Sequence, residues 1–160
     1  MSTARALYDR YQAKLLAHGE VCASDPGGWH RADVAEFSEL RRLLLPHAEA
    51  GDMLCQYALA TILSMGLCCS SEEEFKASYA DATEEATPWW IAAAKQGCWP
   101  ALDNLVTLGV GAEVERARKE WRQLQRDRPD LVPWSDGMPI YWSDFMQELG
   151  KRLYGRVFTD

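Results

Sequence analysis

The segments Ala48-Glu49-Ala50-Gly51 and Ala94-Lys95-Gln96-Gly97 stand 46 residues apart, and the residues that follow them correspond as well: Cys55 with Ala101, Leu59 with Leu105, and Ile62 with Leu108. Self-similarity at a fixed period constrains a fold more tightly than composition does, because each copy must bury its apolar face against a neighbour. The physical content is a helix that ends in a small-residue turn, then a second helix whose small side chain four positions on lets the pair pack closely. Leucines further along fill the seam.

Helical punctuation recurs along the rest of the chain. Leu7, Tyr11 and Leu15 repeat every four positions between Thr3 and His18, with Gly19 as a stop. Residues 24–28 are turn chemistry, after which Asp33 is expected to cap a helix carrying Val34, Phe37, Leu40 and Leu44 that Pro46 ends or kinks. A third helix runs from Gly51 to Gly66. Ser71-Glu72-Glu73-Glu74 has the form of a capping box, so another helix starts near Glu72. Thr87-Pro88 reads as an N-cap followed by proline in the first helical position, opening a short helix that Gly97 closes. Pro100 opens the next, which the Gly109-Val110-Gly111 break ends, and a charged helix spans Ala112 to about Arg126. Residues 127–137 are rich in breakers, and a last helix carries Phe145, Leu149 and Leu153. No apolar–polar alternation lasts long enough for a sheet.

Two halves of one pattern meet in register. Gly51-Asp52-Met53-Leu54-Cys55-Gln56-Tyr57-Ala58-Leu59-Ala60, closing at Gly66, resembles the second helix of the Sel1-like repeat, a relative of tetratricopeptide repeats; Trp89-Trp90-Ile91-Ala92-Ala93-Ala94-Lys95-Gln96-Gly97 resembles its first helix, with Ala101 and Leu105 continuing it. Cys55, Ala60, Leu63 and Asp103 depart from the residues that family prefers, and the 46-residue spacing exceeds the usual repeat, which places extra length within residues 68–85. The resemblance covers approximately residues 43–111. It implies an all-α fold, a short α-solenoid or α-α superhelix of about seven to eight helices, in which Gly51, Tyr57, Leu59, Gly66, Trp89, Trp90, Ala94, Gly97, Ala101 and Leu105 are structural. The expected organisation is a single helical domain over 1–160, with capping helices in 1–42, the repeat core in 43–111 and C-terminal helices in 112–160.

A chain of 160 residues can sustain one core. Its 17 Lys and Arg against 24 Asp and Glu give a formal charge of −7, which repels a phosphate backbone and suits a basic partner instead. Five cysteines form an odd set without a C-x-x-C pair, a pattern of reduced thiols in the cytoplasm. The first sixteen residues lack the unbroken apolar core of a signal peptide, and no run of eighteen apolar residues suggests a membrane span.

Glu72, Glu73, Glu74, Asp81, Glu84 and Glu85 face only Lys76 within residues 72–86, a local balance of −5. A solvated face is the ordinary explanation of such a run. It is also the first choice for a protein-binding epitope, because it coincides with the inserted length, and insertions in repeats map to the functional face. Trp89 and Trp90 are expected in the core, whereas Trp99, Trp134 and Trp142 are divided between core and interface. His18, His30 and His47 match no zinc helix or nucleophile elbow, and the cysteines lack metal-ligand spacing. No catalytic, cofactor-binding or metal residue is assigned.

The resemblance therefore implies a non-enzymatic protein-interaction module in the cytoplasm, without cofactor, nucleic acid or membrane. Small solitary Sel1-like proteins include immunity proteins that neutralise a cognate toxin, and the short length and acidic balance suit that subtype. A general adaptor, a homodimer pairing exposed tryptophans, and a hydrolase with a dispersed site are the alternatives.

Overall fold

The computed structural model describes residues 3–24, 31–131 and 142–155. It is all-α, with seven α-helices and no strand among the described residues. None of these helices is long and apolar enough to cross a membrane. The chain folds as two compact units, Met1–Trp89 and Trp90–Asp160, and the division falls between adjacent tryptophans inside one helix.

In the first unit α1 (Thr3–Ser24) packs on α2 (Arg31–Glu49) and α3 (Met53–Ser64), and α2 and α3 fold back on each other across Gly51. Tyr11, Phe37, Leu40, Leu44, Leu59 and Ile62 are fully enclosed, one apolar stripe from each helix. The long helix α4 (Glu72–Lys95) begins in this unit. It is tied there by side chains, with the Phe75 ring over Gly66 and Glu85 paired to Arg41 at 2.7 Å.

The bends at Gly51 and Gly97 share one hydrogen-bond pattern. At the first, Gly51 N donates to Ala48 O and Asp52 N to His47 O, both at 3.0 Å; at the second, Gly97 N donates to Ala94 O at 3.0 Å and Cys98 N to Ala93 O at 3.1 Å. Each is a Schellman turn, closed by a glycine at positive φ, 93° and 110° respectively, where a side chain would be strained. Gly66 ends α3 in the same way, through Gly66 N to Leu63 O and Leu67 N to Ile62 O. The correspondence has limits. Gln56 donates to the Ala48 carbonyl at 3.0 Å, and its counterpart Leu102 cannot; Ile62 is enclosed, whereas Leu108 is 37% exposed.

The second unit contains the end of α4, then α5 (Trp99–Leu108), α6 (Ala112–Asp127), a 3₁₀ turn at Pro129–Leu131 and α7 (Trp142–Tyr154). The last three α-helices pack pairwise around Leu105, Leu124, Phe145 and Leu149, and the rings of Trp121 and Phe145 lie 5.9 Å apart. Arg118 on α6 closes the end of α5, donating from Nε to Val106 O at 2.8 Å and from Nη2 to Gly109 O at 3.0 Å. Val106 lies in the last turn of α5 and Gly109 is its C-cap, where a helix runs short of N–H donors, which is why a guanidinium suits these carbonyls.

Four expectations about helix ends are corrected. Gly19 does not stop α1, which continues to Ser24. Pro46 does not end α2, which runs on to Glu49, and Thr87-Pro88 does not open a new helix, because Pro88 lies inside α4. Both prolines are exposed, so the carbonyl each leaves unbonded four residues back faces solvent rather than the core. The Thr87 hydroxyl, expected as a cap, donates instead to Thr83 O at 2.8 Å. Asp33 sits inside the first turn of α2 and turns its carboxylate to α1 rather than to its own backbone.

Candidate functional site

The six acidic residues singled out from the sequence all lie on α4 and are all exposed. Helix geometry sorts them. At about 100° per residue, Glu73, Glu74, Asp81, Glu84 and Glu85 fall within an arc of roughly 120°, opposite the stripe that buries Thr83 and Ala86, while Glu72 lies apart. Glu72 pairs with Lys76 one turn on, and Glu85 with Arg41. Glu73, Asp81 and Glu84 make no ion pair among the described residues, so their charge stays available to a partner.

The start of this helix explains why so much acid is tolerated there. Glu74 N donates to the Ser71 hydroxyl at 3.1 Å, half of the anticipated capping box. The other half reaches one residue further back, where the Glu74 carboxylate accepts from Ser70 N at 2.7 Å and from the Ser70 hydroxyl. Those bonds hold the Glu74 carboxyl below its usual range. The helix N-terminus adds a favourable field for all three leading glutamates.

Beside the acidic face is a cleft of about 250 Å³, lined by Arg41, Leu63, Cys68, Cys69, Glu74, Ser78, Asp81 and Glu85 among others. Burial raises the Cys68 thiol above its ordinary value, and Cys69 Sγ stands 3.8 Å from the Ser78 hydroxyl. The cleft is small and of mixed polar and apolar lining, better suited to receiving one side chain than to enclosing a cofactor.

The tryptophans separate. Trp90 is fully buried, and Trp89 and Trp99 are half-buried. Trp134 lies outside the described residues, as does the side chain of Trp142 at the start of α7. Of the repeat positions, Leu59, Ala94, Ala101 and Leu105 are enclosed, Gly66 is buried and Tyr57 is half-buried.

A second cluster escaped the sequence reading. Asp33, only 8% exposed, receives His18 Nδ1 at 2.9 Å on one oxygen and the Lys14 ammonium on the other, and Lys14 also reaches Glu36 at 3.2 Å. Burial alone would raise the Asp33 carboxyl, but its bonds to His18 and Lys14 prevail and hold it below the ordinary value of 3.8. Cys22 Sγ lies 3.4 Å from His18 Nε2. The available signal was the four-residue step from His18 to Cys22, which puts both on one helical face. No group of three His, Cys, Asp or Glu side chains among the described residues has the geometry to hold a metal ion.

Comparison of the chain with protein-family models, with curated proteins and with solved structures found no match.

Proposed function

We propose that the chain binds another protein, offering the acidic face of α4 to a basic surface, and that it does so as Sel1-like α-hairpins in the manner of a cytoplasmic inhibitor that neutralises a toxin. The observation that carries this reading is the segregation of five carboxylates onto one exposed face of a single helix, four of them without an ion pair among the described residues. Such a face sets up a field that accelerates encounter with a positive partner and disfavours acidic ones. The recurrence of one turn geometry at Gly51 and Gly97 supports the repeat assignment. Exposed ion pairs contribute little to folding, so the charge is better explained by recognition than by stability.

The test is affinity capture with the intact chain, followed by mass spectrometry and by measurement of association rate against salt with the purified partner. A single stoichiometric basic protein, with an on-rate that falls steeply as salt rises, supports the reading. Recovery of the chain alone, together with a dimeric mass in light scattering, would transfer the interface to a second copy.

A further inference from the structure

The chain of contacts from Cys22 through His18 and Asp33 to Lys14 is directional. An ionised carboxylate only accepts hydrogen bonds, so His18 Nδ1 is the donor to Asp33 Oδ2. In the neutral ring this leaves Nε2 as the acceptor facing Cys22 Sγ. Lys14 holds the remaining Asp33 oxygen, and the Phe37 ring packs edge-on against the imidazole with centroids 5.6 Å apart, so the ring is held in this orientation. The nitrogen that faces the thiol is the one able to take its proton. Cys22 itself is half-buried, so sulfur remains within reach of a small reagent.

We propose that Cys22 is a thiol that exchanges with small organic disulfides, with His18 as its base and Asp33 as the residue that positions His18. The Cys22 sulfur attacks one sulfur of R–S–S–R while the S–H bond breaks and its proton passes to His18 Nε2. The S–S bond of the reagent breaks; an alkyl RS⁻ takes that proton from the imidazolium and leaves as RSH, whereas an acidic aromatic thiol leaves as RS⁻ and the imidazolium gives the proton to water. Cys22 is thereby oxidised to a mixed disulfide, one RS group is reduced to a thiol or thiolate, and His18 ends neutral.

The other cysteines provide an internal comparison. Burial pushes Cys55 up to about 12 and Cys98 up to about 11, and it raises Cys68 as well. Cys55 sits by the Ala4 carbonyl, about 27 Å along α1 from Cys22 at the helical rise. Among the described residues, no imidazole is in hydrogen-bond contact with any of these three thiols.

The intact chain is treated at pH 7 with the aromatic disulfide dithiobis(nitrobenzoate), whose released thiolate is read by absorbance, and with glutathione disulfide, whose adducts are mapped by peptide mass spectrometry. Cys22 is expected to be labelled first, about 10-fold faster than the same residue in the urea-unfolded chain. His18→Ala should slow it by about 100-fold, the contribution of a positioned base, and added imidazole should restore part of the rate. Asp33→Asn should fall between the two. Circular dichroism checks the fold of each variant, and His18→Gln replaces His18→Ala if the latter loses helix. Labelling of Cys22 no faster than in urea, or unchanged in the His18 variants, overturns the proposal. A slow His18→Ala that does not respond to imidazole also overturns it, since His18 would then serve packing alone.

Discussion

The Phe75 ring lies directly over Gly66, so that a Cβ built on the glycine would overlap the ring carbons. Gly66 also holds a φ of 63°, in the left-handed region. Two penalties therefore meet at one residue: backbone strain, and displacement of the side chain that seats the first turns of α4. Gly66→Ala should lower stability by about 2–4 kcal/mol in urea unfolding, the backbone share being about 1–2 kcal/mol. Gly51 shares the positive φ but has open space where its Cβ would stand. Gly51→Ala should cost only about 1 kcal/mol. Equal losses at the two sites would mean that the Phe75 contact contributes nothing.

Asp33 predicts an acid dependence whose sign follows from its partners. The folded chain holds this carboxyl below 3.8, so its contribution is complete above that value and disappears as pH falls through the lower, folded value. Asp33→Asn should lose about 1–3 kcal/mol at pH 7, because His18 and Lys14 forfeit an ionised acceptor. The difference between variant and parent should shrink steadily as urea melts are repeated below pH 4. A gap that stays constant into strong acid would deny that the charge is what matters.

Arg118 joins two carbonyls at the end of α5 that no single-point cation can span. Its Nη1 additionally donates to Glu115 at 2.7 Å. Arg118→Lys should therefore destabilise the second unit by about 1–2 kcal/mol even though the charge is kept. Hydrogen exchange would locate the effect: amides near the end of α5 should lose protection first, and an unaffected α5 would count against the role of Arg118 as its closure.

On α4 the triple variant Glu73→Gln, Asp81→Asn, Glu84→Gln removes the carboxylates that pair with nothing among the described residues. Stability should change by less than about 0.5 kcal/mol, since exposed substitutions of this kind touch no packed group. Association with a basic partner should slow about 10-fold at low salt, with a flatter salt dependence. Glu72→Gln, on the other side of the helix and paired with Lys76, should leave the association rate close to that of the parent.

Helix content and the three glycine turns were legible because their determinants are local. A glycine after a small-residue helix end specifies a left-handed turn, and Gly51, Gly66 and Gly97 all adopt it. The acidic helix start was legible for the same reason, through Ser71 and Glu74. Pro46 and Pro88 misled because their cost depends on whether the freed carbonyl faces solvent, which only packing decides. Asp33 misled more instructively. Its preference for capping is local, yet His18 and Lys14 on a neighbouring helix outbid the backbone for its oxygens. The Cys22–His18 pair was encoded by spacing, but the carboxylate that orients it comes from fifteen residues away and became visible only once two helices were laid side by side.

The three-residue bends at 50–52 and 96–98 commit every backbone N–H to a hydrogen bond, whereas seven residues separate α3 from α4. Loops of the first kind cannot absorb an added residue without rotating the helix that follows and turning its buried stripe outward. The second kind can. Relatives that differ in length should therefore vary between Met65 and Ser71, growing or trimming the approach to the acidic helix while the glycine corners keep their size.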